Sequence, residues 1–305
     1  MDGITEWTLR LGWILPVWLF ALGGTIGSFL NVVVYRLPAG KSIVHPGSQC
    51  PACGHPIRWY HNLPIVSWLL LAGRCHDCKA KISIRYPIVE AIAAILFLAL
   101  FFADVWLPVH ASSLQSAPTP PPNGWDLAAR YLGDVWLGCT LLCAALIEID
   151  GRRVPRRIFW LAIAVAAVVA AALPTARAGV ILHVFRQDVA APSIGALADL
   201  LVGAVAGSLV GLVIQAGLVK VENDRRAEDV MIPLGIDSLS ISMASMGAFL
   251  GWAGAIVTGI AATILLLLMR RLSRRESRIS RLGWNAFALV AALAWIVILP
   301  RFIAQ

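Results

Sequence analysis

Hydrophobic residues occur along this chain in long runs, without the alternation of a soluble β-strand or the amphipathic repeat of a surface helix. A helix of about 20 apolar residues can cross a bilayer. We therefore predict an all-α polytopic membrane protein with about eight transmembrane helices. The apolar runs lie at 12–34, 87–108, 128–147, 158–176, 195–219, 238–251, 253–269 and 285–303.

The region 238–269 could form one long span or two short spans with a turn near Gly251-Trp252. Two spans return the six arginines of 270–281 to the cytoplasmic side, which the positive-inside bias favours. Gly247, Gly251 and Gly254 also allow close helix approach. We therefore predict two spans here and an N-terminus outside.

The basic residues support this topology. The proposed cytoplasmic loops hold 20 of the 25 Lys and Arg residues, and they lie at 36–86, 150–157, 220–229 and 270–281. The opening residues carry Asp2 and Glu6 and lack a cleavage-like small-residue motif, and 12–34 is long enough to cross a bilayer, so this run is predicted to be an uncleaved first helix. The Pro-rich segment 109–127 contains no Lys or Arg and is expected to be a periplasmic linker between halves 1–108 and 128–305.

Composition excludes several classes of protein. With 59% hydrophobic residues, 14% charged residues and a mean hydropathy of +0.79, the chain is neither a soluble enzyme nor a disordered protein. A net charge of +8 would suggest nucleic-acid binding in a soluble protein. Here the basic residues are better explained as topology signals, so no nucleic acid is expected and membrane lipids are. The arginines of 270–281 could also bind anionic headgroups.

Two Cys-x-x-Cys pairs lie in the first predicted cytoplasmic loop, and they are Cys50–Cys53 and Cys75–Cys78. Each pair can present two thiolates from a tight turn, so the two pairs can complete a tetrahedron around one zinc ion. Two disulfides are the alternative, but cytoplasmic thiols stay reduced. We predict a structural zinc site, with His55 and His76 as bystanders.

Five motifs around these cysteines occur in an order that closely resembles the N-terminal half of type IV prepilin leader peptidases, also called prepilin peptidase/N-methyltransferases. The resemblance covers about residues 25–90. It is carried by Gly27-Ser-Phe-Leu-Asn-Val-Val-Val-Tyr-Arg-Leu-Pro38, Cys50-Pro-Ala-Cys53-Gly-His, Asn62-Leu-Pro-Ile-Val-Ser-Trp68, Gly73-Arg-Cys-His-Asp-Cys78 and Ile82-Ser-Ile-Arg-Tyr-Pro-Ile-Val-Glu90.

The resemblance implies a membrane aspartic peptidase of the bacterial inner membrane. Such an enzyme cleaves the leader peptides of type IV prepilins and pseudopilins at the cytoplasmic face. It also implies methylation of the new N-terminus with S-adenosylmethionine. That cofactor rests on the resemblance alone.

The catalytic motifs of the family are altered in the C-terminal half, which we expect to be a peptidase-like membrane domain. The family places one catalytic Asp seven residues before a Pro. In this chain, the position seven residues before Pro155 is Glu148, and Asp150 lies five residues before it. Either acid could supply the first carboxyl group.

The second family motif, Gly-x-Gly-Asp-x-Lys, precedes a helix that Gly247-Ala-Phe-Leu-Gly-Trp252 matches. Without a gap, its catalytic Asp falls on Leu239, and the nearest acid is Asp237. Glu148, Asp150 and Asp237 are therefore the candidate catalytic residues. Since aspartic hydrolysis needs two carboxyl groups that share a proton, a degenerate homologue that binds pilin-like helices or a secretion assembly without cleavage is the alternative function.

Overall fold

A computed structural model describes residues 12–109, 124–173, 192–225, 238–272 and 284–303. We number the α-helices of these ranges in chain order. The helices are α1 Ile14–Arg36, α2 Val66–Leu70, α3 Arg85–Phe101, α4 Gly124–Ile149, α5 Arg157–Ala172, α6 Pro192–Arg225, α7 Leu239–Leu272 and α8 Trp284–Ile303. A short 3₁₀-helix, Trp59–His61, precedes α2, and a π-helical turn, Phe102–Trp106, follows α3.

The described residues form two compact units, and the boundary between the units lies between Phe102 and Ala103. In the first unit, α1 and α3 pack closely along glycines of α1. A Cβ added to Gly23 would lie 2.8 Å from the Cα of Ala94, and one added to Gly27 would lie 2.7 Å from the Cα of Glu90. The two helices run antiparallel, and their backbones can approach because these positions lack side chains.

In the second unit, α6 and the first half of α7 cross at glycines spaced four residues apart. A Cβ on Gly203 would meet the carbonyl group of Gly247, and one on Gly207 would meet that of Met243. Four-residue spacing places these glycines on one helix face. The stripe therefore lets two antiparallel helices pack with their backbones in contact.

Helix α7 breaks at Gly251, whose φ of 74° and ψ of 174° are not helical. A Cβ on Gly259 would lie 2.5 Å from the Cε of Met243. Sixteen residues of straight helix would separate these two positions by about 24 Å, so the two halves of α7 fold back on each other. The sequence predicted this turn near Gly251-Trp252, and the structure has it there.

Five helices of the described ranges are long and apolar enough to cross a membrane, and two shorter apolar helices accompany them. The five are Ile14–Arg36, Arg85–Val109, Gly124–Ile149, Ala196–Ala216 and Leu239–Met269. Large apolar side chains such as Val213, which is 73% exposed, point away from the protein, as expected of a lipid-facing surface. The predicted all-α polytopic class is confirmed, and the count of eight spans stays a prediction.

Helix α8 packs into the apolar core of the second unit. Trp284 is fully buried and donates a hydrogen bond from Nε1 to the Oγ1 of Thr263 at 3.3 Å. A Cβ on Gly254 would lie 2.9 Å from the Nε1 of Trp295. Helix α8 therefore runs antiparallel to the second half of α7, and its N-terminal end is fixed in the core.

Candidate active site and metal centre

The four predicted cysteine ligands converge in the first unit. One Sγ atom from each of Cys50, Cys53, Cys75 and Cys78 lies within 4.8 Å of the other three. The Sγ atoms of Cys50 and Cys78 are 3.8 Å apart, and all four cysteines are free thiols. Four sulfurs placed about 2.3 Å from a central zinc ion are about 3.8 Å apart in a tetrahedron. The cluster can therefore hold a metal ion.

The two cysteine pairs have the same backbone structure. The amide of Cys50 donates to the carbonyl of His55, and the amide of Cys75 donates to that of Ala80. The residue after each pair has a positive φ, which is 72° in Gly54 and 58° in Lys79. Isolated bridges, Gln49–Pro56 and Arg74–Lys81, close the two turns at equivalent positions. Each of the two Cys-x-x-Cys pairs thus presents its two thiols with the same backbone geometry.

The turn also favours a thiolate. Amide groups of Cys53 and then Ala52 point at the Cys50 sulfur and lower the pKa of Cys50 to about 6. The amide of His55 acts in the same sense on Cys53, but burial and the neighbouring sulfurs of Cys78 and Cys50 raise the pKa of Cys53 to about 12. Thiolates are the metal-binding form, so a bound cation would be needed to ionise the whole set.

The neighbouring histidines lie outside the tetrad. His76 Nδ1 lies 3.1 Å from the Oδ1 of Asp77, and the His76 ring stacks on His61 with centroids 4.6 Å apart. His55 contributes its carbonyl group to the Cys50 turn. The metal-capable group in the described part of the chain therefore contains cysteines alone.

The second candidate site lies at the end of α4, where Glu148 is only 6% exposed. Its Oε1 accepts a hydrogen bond from Asn285 Nδ2 at 2.7 Å, and its Oε2 accepts one from the Asn285 backbone amide at 3.0 Å. Asn285 lies in the first turn of α8, where backbone amides lack helical acceptors. The Glu148 carboxyl group therefore caps α8 from another helix.

The hydrogen bonds continue into α7. Ser242 donates from Oγ to the Oδ1 of Asn285 at 2.7 Å, and Ser245 donates to the carbonyl oxygen of Ser242 at 2.7 Å. All of these side chains are buried. A buried polar network of this kind holds its members in one geometry, because each lost contact would leave an unsatisfied group. Glu148 is thus fixed between the C-terminal end of α4 and the N-terminal ends of α7 and α8.

The other two predicted acids lie differently. Asp150 is exposed in the turn that follows α4, next to exposed arginines of 152–157. Residues two apart on a helix do not share a face, so Glu148 and Asp150 point in different directions. Asp237 lies outside the described residues. Leu239, which the gap-free alignment places at the second catalytic position, is fully buried in the apolar core.

Sequence reasoning missed Asn285 and Ser242. Asn285 begins an otherwise apolar helix, and Ser242 with Ser245 forms a three-residue spacing on an apolar helix face. Polar residues on the buried face of a membrane helix are costly unless they are paired. Their presence was therefore a usable signal for a buried network.

A further acidic pair was not predicted from the sequence. Asp104 is 1% exposed in the π-helical turn. Arg130 Nε lies 3.4 Å from the Oδ1 of Asp104 and 4.0 Å from the Oδ2 of Asp134. The three charges form a compact cluster between the end of one candidate span and the beginning of the next.

Residues 21–103 match the family model of the bacterial peptidase A24 N-terminal domain. The matched range includes most of α1, the four cysteines and all of α3, and the five motifs that predicted the family lie within it. This part of the chain is thus similar to the A24 peptidase N-terminal domain. The chain is related to the prepilin leader peptidase/N-methyltransferases, and the resemblance seen in the sequence is confirmed.

Curated relatives carry names of that kind. The chain is 52% identical over 95 residues to a prepilin leader peptidase/N-methyltransferase of Myxococcus xanthus, covering 31% of this chain and 28% of that protein. It is 36% identical over 159 residues to a type 4 prepilin-like proteins leader peptide-processing enzyme of Escherichia coli, covering 46% and 51%. It is 30% identical over 224 residues to a prepilin leader peptidase/N-methyltransferase of Aeromonas hydrophila, covering 66% and 63%.

Identity falls from 52% to 30% as the matched stretch lengthens from 95 to 224 residues. The matched segments span only 28% of the Myxococcus protein and 51% of the Escherichia protein. No solved structure significantly matches the chain.

Proposed function

We propose that this protein is a prepilin leader peptidase of the bacterial inner membrane that cleaves prepilin or pseudopilin precursors at the cytoplasmic face. The observation that carries the proposal is the buried carboxyl group of Glu148, at the end of α4 and bound through both oxygens. It occupies the position at which the family has a catalytic Asp. A rigidly held acid at the end of a candidate membrane span suits hydrolysis of a membrane-inserted precursor.

The proposed mechanism uses two carboxyl groups that share one proton. The ionised carboxylate removes a proton from water, and the protonated partner polarises the scissile carbonyl group. Glu148 is one of the pair, and its two hydrogen bonds from Asn285 leave further lone pairs for a shared proton. Asn285 is a positioning residue, because it acts through Glu148.

We assign the second carboxyl group to Asp237. Helix α7 begins two residues later at Leu239, and Ser242 in its first turn is hydrogen-bonded to the same Asn285 side chain that binds Glu148. The start of α7 is therefore close to Glu148. Asp150 is the alternative partner, but it lies in the exposed turn after α4 and does not share a helix face with Glu148.

Co-expression with a type IV prepilin tests the assignment. Glu148→Ala and Asp237→Ala are expected to abolish conversion of precursor to mature pilin, followed by gel mobility and by mass spectrometry of the pilin N-terminus. Asp150→Ala is the matched control and is expected to retain processing. If all three variants process normally, the two-carboxylate assignment is wrong. Loss in Asp150→Ala with activity in Glu148→Ala would transfer the role to Asp150.

A second function, a homologue that binds pilin-like helices or a secretion assembly without cutting, is favoured by the same hydrogen bonds. Both Glu148 oxygens are occupied by Asn285, as in a purely structural cap. This function predicts that wild-type protein captures precursor in detergent extracts while the precursor stays full length. Mature pilin in the wild-type sample excludes it.

We further propose that the four-cysteine cluster holds one structural zinc ion in the cytoplasm. Zinc takes four thiolates in a tetrahedron, and the described Sγ separations agree with that geometry. Most residues of the two cysteine turns are exposed, so zinc would supply much of the stability of loop 36–86. This chain's residues hold and orient the ion, and no catalytic step uses it.

Elemental analysis of purified protein is expected to give about one zinc per chain. Cys50→Ser should lower this content, and Cys139→Ser, a change on α4 outside the cluster, should leave it unchanged. Absence of metal from protein purified under reducing conditions would contradict the zinc assignment.

Methyl transfer from S-adenosylmethionine remains a proposal from the relatives' names and the sequence motifs. The described residues offer no set of side chains that we assign to that cofactor. Mass spectrometry of the processed pilin tests it, because a methylated N-terminus is heavier than an unmodified one.

A further inference from the structure

The loop between α1 and α3 contains an apolar turn, residues 63–72, that packs beside the transmembrane helices. A Cβ added to Gly24 of α1 would lie 3.2 Å from the Cβ of Pro64. Gly24 lies twelve residues before Arg36, the end of α1, which corresponds to about 18 Å along the helix axis. Pro64 therefore contacts α1 well inside its candidate membrane span.

The opposite side of the turn is fixed to α3. The amide of Ile65 donates a hydrogen bond to the Oε2 of Glu90 at 2.7 Å. Glu90 is 8% exposed and lies five residues after Arg85, the start of α3, so it is about 8 Å inside that helix. Two independent contacts thus hold the turn at membrane depth.

The chain reverses here within three residues. Ile65 has a φ of 62° and a ψ of −53°, and the amide of Val66 donates to the carbonyl oxygen of Pro64. These are the features of a γ-turn with positive φ, a strained conformation for a β-branched residue. The hydrogen bond from the Ile65 amide to Glu90 helps to hold the turn in this conformation.

Most other amides of the turn also have protein acceptors. Leu63 donates to the Oγ of Ser67 at 2.9 Å, and Ser67 donates to the carbonyl of Leu63 at 3.1 Å. The Ser67 hydroxyl donates to the carbonyl of Tyr60, and the amides of Leu69, Leu71 and Ala72 bond within the turn. Non-helical backbone is tolerated at membrane depth only when its polar groups are satisfied in this way.

The side chains of the turn do not suit an aqueous surface. Leu70 is 80% exposed, Leu69 is 64% exposed and Val66 is 50% exposed, all on or beside α2. By contrast, the surrounding loop 36–86 carries seven Lys or Arg residues and one acid, Asp77. An apolar tip within a basic loop matches acyl chains beneath anionic headgroups.

We propose that residues 63–72 form a re-entrant turn inserted among the lipid acyl chains of the leaflet that faces loop 36–86. Leu69 and Leu70 point into lipid, and Glu90 binds the turn from inside the α1–α3 pair. The basic residues of the loop contact anionic headgroups around it. The turn thereby ties the cysteine cluster to the membrane surface.

Fluorescence quenching of the full chain in nanodiscs tests this proposal. A dansyl-bearing amino acid replaces Leu70 in one sample and Val44, which is 67% exposed in the same loop, in the matched control. The nanodiscs contain phosphatidylcholine and phosphatidylglycerol with or without bromine on the acyl chains. Brominated lipid is expected to reduce emission at position 70 several-fold and to leave position 44 nearly unchanged, with the opposite order for aqueous iodide.

Equal iodide quenching at positions 70 and 44 would overturn the proposal, since the turn would then be in water. Resistance of position 70 to both quenchers would also overturn it, because the turn would be covered by protein. A probe at Leu69 provides a second position in case the first variant fails to fold. Glu90→Leu should reduce bromine quenching at position 70. Glu90→Gln keeps an acceptor oxygen and should retain the quenching. An unchanged signal in Glu90→Leu would refute the anchoring role of Glu90.

Discussion

The hydrogen bonds between Glu148 and Asn285 allow a prediction that separates stability from chemistry. Both Asn285 groups that face Glu148 are donors, the side-chain Nδ2 and the backbone amide. Glu148→Gln keeps the shape of the side chain but replaces one acceptor oxygen with an NH₂ group. A donor would then face a donor in a buried site.

Such an unsatisfied buried pair costs about 1–3 kcal/mol. For a unit of this size, about 2 kcal/mol corresponds to a fall of roughly 4–8 °C in the thermal unfolding midpoint. The second change, Asn285→Asp, reverses the donor and acceptor roles. The new amide at position 148 would donate to the new carboxylate at position 285, which would still accept from Ser242. An acid in the first turn of α8 also interacts favourably with the helix dipole.

We therefore expect Glu148→Gln and Asn285→Asp to be destabilising singly and the double variant to recover most of the loss. The intrinsic tryptophan fluorescence of the detergent-solubilised protein measures the unfolding midpoint. The double variant should nevertheless fail to process prepilin, because the carboxyl group has moved to α8. Glu148→Gln as stable as wild type, or a double variant no better than the worse single variant, would refute the hydrogen-bond assignment.

Three further predictions concern other parts of the chain. In metal-free protein, the rate of Cys50 alkylation should rise with pH to half its maximum near pH 6, because the lowered pKa of Cys50 gives thiolate above that value and thiol below it. Cys53 should stay protonated and react slowly. Mass spectrometry of labelled peptides measures both rates, and equal rates would contradict the difference in pKa. Arg130→Leu should destabilise the second unit by about 1–3 kcal/mol, which is less than for a fully buried pair because the Arg130 side chain is 43% exposed. Thermal unfolding measures this loss of stability, and Arg130→Lys, which keeps the charge, should lose less stability. Gly203→Ala should reduce the stability by about 1–3 kcal/mol, because its Cβ would meet a backbone carbonyl of α7. Gly47→Ala, where the added atom meets nothing within 4 Å, should leave the stability nearly unchanged. Equal unfolding midpoints of the two variants would exclude the close crossing of α6 and α7.

The helices and the cysteine cluster could be predicted from the sequence because their signals are local or strongly spaced. Long apolar runs identify membrane helices wherever they pack, and two Cys-x-x-Cys turns are complete ligand units before they meet. The turn at Gly251 was also predictable, because the positive-inside bias favours a return of the chain that places the six arginines of 270–281 on the cytoplasmic side.

The partners of Glu148 could not be predicted in the same way. Asn285 is 137 residues distant in sequence, and nothing in the local pattern indicates which helix end it reaches. The gap-free alignment offered Leu239 for the second acid, but a fully buried leucine there belongs to the apolar core. Such contacts arise from tertiary packing, which spacing rules do not describe.

The separation of Glu148 from Asn285 also has a consequence for how the protein is made. A ribosome completes α4 long before it reaches α8, so the newly made membrane segment carries a buried acid whose acceptor role is still unfilled. The two Asn285 donors reach the Glu148 carboxyl group only after α8 has been made and has packed against α4. Chains that stop before Trp284 are therefore expected to leave this acid without those two hydrogen bonds.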